Sequence, residues 1–110
     1  MDDPVQAQLD AYNAQDVDAF CACYHDDVVM EDGHGHRRGQ GQDFLRSTYA
    51  QLFARFPANR ARVVKRMRVG PWVVDEEEVT GRSEQPLHVI AVYLVREGKI
   101  ATVRFLRPED

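Results

Sequence analysis

The sequence predicts an α+β fold in which three N-terminal helices pack on one face of a strongly bent antiparallel sheet. Two observations support this prediction. Apolar residues recur at helical spacing through most of residues 4–55, apart from one short strand. From Arg60 onward they alternate at a period of two, with turn signals between the runs. Helices grouped ahead of an antiparallel sheet are typical of α+β domains, and 110 residues suit a single domain, residues 1–110.

The first half of the chain predicts two helices and a short strand. Residues 4–14 have apolar residues at helical spacing, and Pro4 suits the first turn of that helix. Asp16 is placed to cap a second, shorter helix, which ends near residue 24. Residues 28–32 then predict a strand, because apolar and acidic residues alternate there.

A polar loop and a longer helix complete the helical half. The loop spans residues 33–41 and contains four glycines, which are typical of irregular segments. Residues 42–55 have a wide apolar face at helical spacing, and Pro57 ends that helix.

The second half predicts an antiparallel meander of about four strands. The turn signal Gly70–Pro71 separates the first two, so Arg66 is expected opposite Asp75 and Lys65 opposite Glu76. We interpret these charges, with their neighbours, as a solvated polar face of the sheet. Residues 87–95 and 100–106 predict the last two strands, joined by a turn at residues 96–99.

The residue pattern of the predicted strand at residues 87–95 indicates a homodimer. Residues 89–95 are apolar at both parities, so both faces of the strand require cover. The helices of one chain can cover only one face. We therefore expect two copies of the chain to pair through the outer face of the sheet.

Residues 24–36 concentrate groups that can do chemistry. Asp32 ends an apolar row containing Val28 and Met30, and a carboxylate in such a pocket is a candidate general base, because burial raises its pKa. With Asp32, His34 and His36 offer metal-ligand types, but the intervening glycines disfavour an ordered site, so no metal is expected.

Three short motifs resemble the nuclear transport factor 2-like superfamily, particularly its SnoaL-like polyketide-cyclase and ketosteroid-isomerase-like members. They are Asn13-Ala14-Gln15-Asp16, Tyr24-His25-Asp26-Asp27-Val28 and Glu97-Gly98-Lys99-Ile100. The resemblance covers nearly the whole chain in the right order. It implies a cystatin-like conical fold with a ligand pocket between helices and sheet, and it agrees with a homodimer.

The resemblance also assigns roles to individual residues. Asp32 matches the aspartate base of ketosteroid isomerases, whereas their tyrosine oxyanion donor is matched by Gln8. Their second donor falls near Ala91 or Ile90, which cannot donate from a side chain, so we expect no true ketosteroid isomerase activity. His88 is a second candidate acid or base. The residues expected to line the pocket are Gln8, Tyr12, Val28, Met30, Ala91, Tyr93, Val103 and Phe105.

Three candidate functions follow from the sequence. The first is a cofactor-free enzyme of the isomerase or cyclase type that acts on a small apolar carbonyl compound. The second is a non-catalytic ligand-binding or dimeric interaction domain, and a metal-dependent enzyme using His34 and His36 comes third. A net charge of −4 argues against nucleic acid as a partner. Without a membrane-length apolar run or a signal peptide, the chain is expected in the cytoplasm.

Overall fold

The computed structural model describes residues 3–109, which form three helices and six strands. The helices are α1 (Pro4–Ala14), α2 (Val17–Cys21) and α3 (Gln42–Arg55). The strands are β1 (Tyr24–Glu31), β2 (Arg37–Gln40), β3 (Arg60–Val69), β4 (Trp72–Thr80), β5 (Leu87–Arg96) and β6 (Lys99–Leu106). The α+β class is confirmed, but only α1 and α2 precede the sheet, since α3 follows β1 and β2. Among residues 3–109, none of the helices is long and apolar enough to cross a membrane.

The six strands form one mixed sheet in the order β2-β1-β6-β5-β4-β3. The predicted meander is confirmed, because β3, β4, β5 and β6 pair antiparallel in sequence order. The prediction of a wholly antiparallel sheet is wrong, because β1 pairs parallel with β6. Parallel neighbours are joined by long crossovers rather than by hairpin turns, so the sequence carries no local signal for this pair.

Strand β2 lies within the segment predicted as a polar loop. It pairs antiparallel with β1, with Met30 opposite Gly39. A Cβ atom added at Gly39 would lie 2.3 Å from the ring of Phe44, so this glycine allows close packing of α3 on the strand. The polar composition of β2 suits a sheet edge, where charged residues prevent further strand pairing.

The starts of α1 and α2 follow the sequence signals, whereas α2 ends at Cys21, before the predicted end near residue 24, because Tyr24 begins β1. Asp3 caps α1 by accepting hydrogen bonds from the N–H groups of Val5 and Gln6. Asp16 caps α2 by accepting from Ala19 N at 3.1 Å, as predicted. Between the two helices Gln15 adopts a left-handed conformation with φ of 56°, which reverses the chain.

The core lies between the helices and the concave inner face of the sheet. Its largest fully buried side chains include Tyr24, Tyr93, Phe20 and Leu45. On β4 the buried positions alternate, so Val73, Asp75, Glu77 and Val79 all face this core. The predicted pairing of Arg66 with Asp75 is confirmed, but the interpretation of their face as solvated is wrong. Two carboxyl groups of β4 therefore lie inside the protein.

Candidate active site

The helices and the inner sheet face enclose two adjoining spaces. The outer cleft has a volume of about 340 Å³ and opens between α3 and the ends of β1 and β6. The inner cavity measures about 60 Å³ and reaches α1 and β4. Tyr49, Arg82, Phe105 and Arg107 line both, so the two spaces form one funnel. The outer cleft reaches the lower end of the size range of small-molecule sites.

A chain of buried hydrogen bonds crosses the inner end of the funnel. Tyr24 Oη donates to Gln8 Oε1 at 3.1 Å, and Gln8 Nε2 donates to Tyr93 Oη at 3.2 Å. Tyr93 Oη in turn donates to Glu77 Oε2 at 3.3 Å. Gln8 Nε2 also donates to the carbonyl of Val5, so its amide is fixed in one orientation. The chain delivers a hydroxyl donor to a carboxyl group in the cavity wall.

Glu77 is a buried carboxyl group in the wall of the inner cavity. It is 6 % exposed, and its pKa is raised to about 7. Burial is the largest cause of the raised pKa and the nearby charge of Asp75 adds to it, whereas the Tyr93 hydrogen bond and the charges of Arg66 and Arg82 act to lower the pKa. A carboxyl group with a pKa near 7 can take up or release a proton at neutral pH, as general acid–base catalysis requires.

Asp75 lies behind Glu77 and is neutralised by Arg66. Arg66 Nε contacts Asp75 Oδ1 at 2.6 Å, and its Nη2 contacts Oδ2 at 2.9 Å. Asp75 is fully buried, so this bidentate pair supplies the charge compensation that a buried carboxylate needs. Arg66 Nη1 also donates to Gln6 Oε1, which ties α1 to the pair.

Arg82 brings a cation to the place where the two spaces meet. Its Nη2 donates to Tyr12 Oη at 2.6 Å, and Asn59 Nδ2 donates to the same hydroxyl at 2.6 Å. Its Nε is buried and has no hydrogen-bond partner within residues 3–109. A buried donor without a partner is energetically costly. The guanidinium lines both spaces, so it is placed to donate to a ligand oxygen there.

Asp32 lies at the outer cleft and behaves differently from the prediction. Its Oδ1 accepts hydrogen bonds from His34 N at 2.9 Å and His36 N at 3.0 Å. Hydrogen bonds from the His36 and His34 backbone lower its pKa against a smaller effect of burial. The prediction of a raised pKa for Asp32 is therefore wrong, because the carboxylate stabilises a turn and is not enclosed by the apolar row before it.

The histidines lie away from the inner cavity. His88 is on the outer face of the sheet, with its side chain 63 % exposed and Nε2 2.7 Å from Glu76 Oε2. This position separates His88 from Glu77 by the thickness of the sheet and corrects its assignment to the pocket. His34 and His36 are exposed, and residues 3–109 contain no group of three metal-ligand side chains that could hold an ion.

The predicted pocket residues divide into two groups. Gln8, Tyr12 and Tyr93 line the inner cavity, Met30 lines the outer cleft, and Phe105 lines both. The others are buried in the core and do not line either space: Val28, Ala91 and Val103.

Glu77 and Arg82 are the functional candidates that the sequence interpretation missed. The acidic run at residues 75–78 looks solvated, because its charges balance those of the neighbouring strand. The alternation along β4 could have revealed their burial. Val73 and Val79 lie on the same face of the strand as Asp75 and Glu77. Arg82 belongs to a polar loop, where no periodicity indicates which side chains turn inward.

Several solved structures are similar to this chain. An uncharacterized cystatin fold protein from Novosphingobium aromaticivorans is 33% identical, with a TM-score of 0.88 over 94% of this chain and 95% of that chain. A putative polyketide cyclase from Sinorhizobium meliloti is 23% identical, with a TM-score of 0.82 over 96% and 94%. An LEH-like epoxide hydrolase from M. tuberculosis is 21% identical, with a TM-score of 0.81 over 96% and 80%.

A search of curated proteins finds no match. The model of one protein family, however, matches residues 5–103, which is nearly the whole chain. The resemblance inferred from the short motifs is thus confirmed, and the chain belongs to the SnoaL-like domain family.

Proposed function

We propose that the protein is a cofactor-free enzyme of the isomerase or cyclase type, which moves a proton next to a carbonyl group. The observation that carries this proposal is Glu77, a carboxyl group buried in the cavity wall with a pKa of about 7. Glu77 replaces Asp32 as the proposed base, because Asp32 is held as an ordinary carboxylate by two backbone N–H groups.

The site residues divide the reaction between them. Ionised Glu77 removes a proton from the carbon beside the substrate carbonyl, and the electron pair of that C–H bond moves toward the carbonyl oxygen. The guanidinium of Arg82, which lines both spaces, donates to this oxygen as negative charge develops. Protonated Glu77 then returns the proton to another carbon of the substrate. Tyr93 and Gln8 position Glu77, since they reach it through consecutive hydrogen bonds.

Deuterium exchange at carbon tests this proposal without knowledge of the natural substrate. Small ketones, such as cyclohexanone and cyclohex-3-enone, are incubated with the protein in D₂O, and loss of the α-proton signal is followed by NMR. We expect catalysed exchange that falls at least about 10²-fold in Glu77→Gln, the usual contribution of a general base. Asp32→Asn is the matched control and should retain the exchange. Equal rates in both variants, or no exchange above a heat-denatured sample, would contradict the proposal.

We also propose that two copies of the chain pair through the outer face of the sheet. This face exposes an apolar patch that extends over β3, β4 and β5 and includes Met67 (55 %), Trp72 (45 %) and Ile90 (39 %). The pair Glu31–Arg104 places both signs of charge on the same face. Such a surface suits a second copy related by a two-fold axis, because each charge can meet its opposite on the partner.

Light scattering tests the dimer. At tens of micromolar the chain should have twice the monomer mass, and Ile90→Lys should halve it by placing a charge within the apolar patch. Ala50→Lys places the same charge at an exposed position of α3, away from the sheet face, and should leave the mass unchanged. A monomeric wild-type chain at this concentration would refute the dimer but leave the assignment of Glu77 intact.

A further inference from the structure

Basic side chains dominate the wall of the outer cleft. Four elements of the fold each contribute one arginine: β2, the end of α3, the loop after β4, and the segment after β6. These residues are Arg38, Arg55, Arg82 and Arg107, and the acidic residues on the same wall are Glu31 and Asp32. Arginines from four separate elements converge here in a chain whose net charge is −4.

The two acidic residues of the wall are occupied elsewhere. Glu31 Oε1 accepts from Arg104 Nε and Nη2 at 3.2 and 3.0 Å, and Arg104 does not line the cleft. Asp32 accepts backbone hydrogen bonds. Within residues 3–109, no carboxylate lies within ion-pair distance of Arg38, Arg55 or Arg82. The charges of these three arginines are thus left available for a ligand.

Much of the remaining wall of the cleft is apolar. Aromatic and aliphatic side chains lie between the arginines: Met30, Phe44, Leu52, Phe56 and Phe105. The guanidinium of Arg55 lies over the ring of Phe56, 5.1 Å from its centroid, a stacking that arginine tolerates because it is weakly hydrated. A molecule that fills this cleft therefore meets an apolar surface along its body and cations at the exposed end.

We infer that the ligand of the funnel is an apolar molecule that carries a carboxylate. Its charge binds Arg38 and Arg55 at the exposed mouth, where both side chains reach solvent. Its apolar body extends past Phe105 toward the inner cavity, where Arg82 and Glu77 meet the reacting carbonyl. This inference rests on the proposed function for the inner end, whereas the charge preference at the mouth is a property of the arginines alone.

Paired ligands that differ only in charge test the inference. Calorimetric titration compares octanoate with octanamide, which has the same chain length and no charge. We expect octanoate to bind at least about tenfold more tightly, the worth of one charge-assisted hydrogen bond. Arg55→Gln and Arg38→Gln should each reduce that ratio severalfold. Arg46→Gln, an arginine of the same helix that pairs with Asp18 and does not line the cleft, should preserve it.

The outcomes separate this inference from the proposed function. Equal affinity for the two ligands, no binding of either, or an equal loss in Arg46→Gln would overturn the carboxylate preference. A preference that persists in Glu77→Gln supports the inference even if the wild-type protein exchanges no ketone protons. Conversely, proton exchange without any preference for octanoate would refute the inference that the ligand carries a carboxylate. The assignment of Glu77 as the base would still stand.

Discussion

Glu77 and Asp32 are two carboxyl groups on the wall of one funnel, and their surroundings give them opposite properties. Glu77 lies on the inner face of β4, and burial together with Asp75 raises its pKa to about 7. Asp32 lies just past the end of β1, and two backbone N–H groups lower its pKa. An apolar row leading to a carboxylate therefore does not by itself indicate a general base, because backbone donors can still hold the pKa of that carboxylate low. The pKa of each carboxyl group depends on whether the neighbouring atoms stabilise its protonated or its ionised form.

The largest expected effect concerns the ion pair behind Glu77. Arg66→Met leaves Asp75 as an unpaired buried carboxylate and should destabilise the fold by about 3–5 kcal/mol, measured as the free energy of unfolding in urea. Arg62→Met on the same strand is the control, because its partner Glu78 is exposed and such pairs contribute about 0–1 kcal/mol.

A double variant sharpens the interpretation of that loss. Arg66→Met combined with Asp75→Leu removes both charges, and replacement of a buried pair by apolar residues is often neutral. We therefore expect most of the lost stability to return. If the double variant were as unstable as Arg66→Met alone, the loss would come from packing and from the Gln6 contact, not from the charge of Asp75.

The next effect is the pH dependence of stability that Glu77 imposes. Its pKa is raised from 4.5 to about 7 in the folded protein, so the unfolded chain loses its proton first as the pH rises. The stability that protonated Glu77 contributes is fully present below pH 4.5. It is lost as the pH rises from 4.5 to about 7. A shift of this size corresponds to about 3 kcal/mol.

Urea unfolding between pH 4 and pH 8 measures that loss. Glu77→Gln stays neutral throughout and should lack the decline that the wild-type protein shows over this range. Glu76→Gln is the matched control, because Glu76 is the preceding residue on β4 and points to the outer face beside His88. A Glu77→Gln variant with an unchanged decline would show that another group causes it.

The sequence predicted the fold more fully than the site, for physical reasons that individual residues show. Periodicity and caps are local signals, so α1, the cap at Asp16 and the register of Arg66 with Asp75 were correct. The parallel pairing of β1 with β6 depends on residues far apart in the chain.

The site was harder to predict because charge does not reveal burial. Asp75 and Glu77 balance the arginines of β3 in any environment, and only the tertiary structure shows that they face the core. Gln8 shows the opposite case. The resemblance placed it at the pocket, and the structure gives it a role of its own, since it joins Tyr24 to Tyr93 instead of donating to a ligand.

The smallest expected effect is that of Asp32→Asn. The amide oxygen of asparagine can accept the same two backbone hydrogen bonds from His34 and His36, so the turn should persist and only the charge is lost. Because the folded-state pKa of Asp32 is lowered, its charge stabilises the protein above the unfolded-state pKa. That contribution disappears as the pH falls through the folded-state pKa.

The Asp32 effect thus appears on the acid side, whereas that of Glu77 appears between pH 4.5 and about 7. Unfolding at pH 2–5 should show a shallower acid loss in Asp32→Asn than in the wild-type protein, with equal slopes between pH 5 and 7. Asp26→Asn, a change at an exposed position of β1, should reproduce the wild-type curve. If Asp32→Asn instead removed the decline between pH 5 and 7, Asp32 would be the group with the raised pKa. The assignment of the base would then return to the loop after β1.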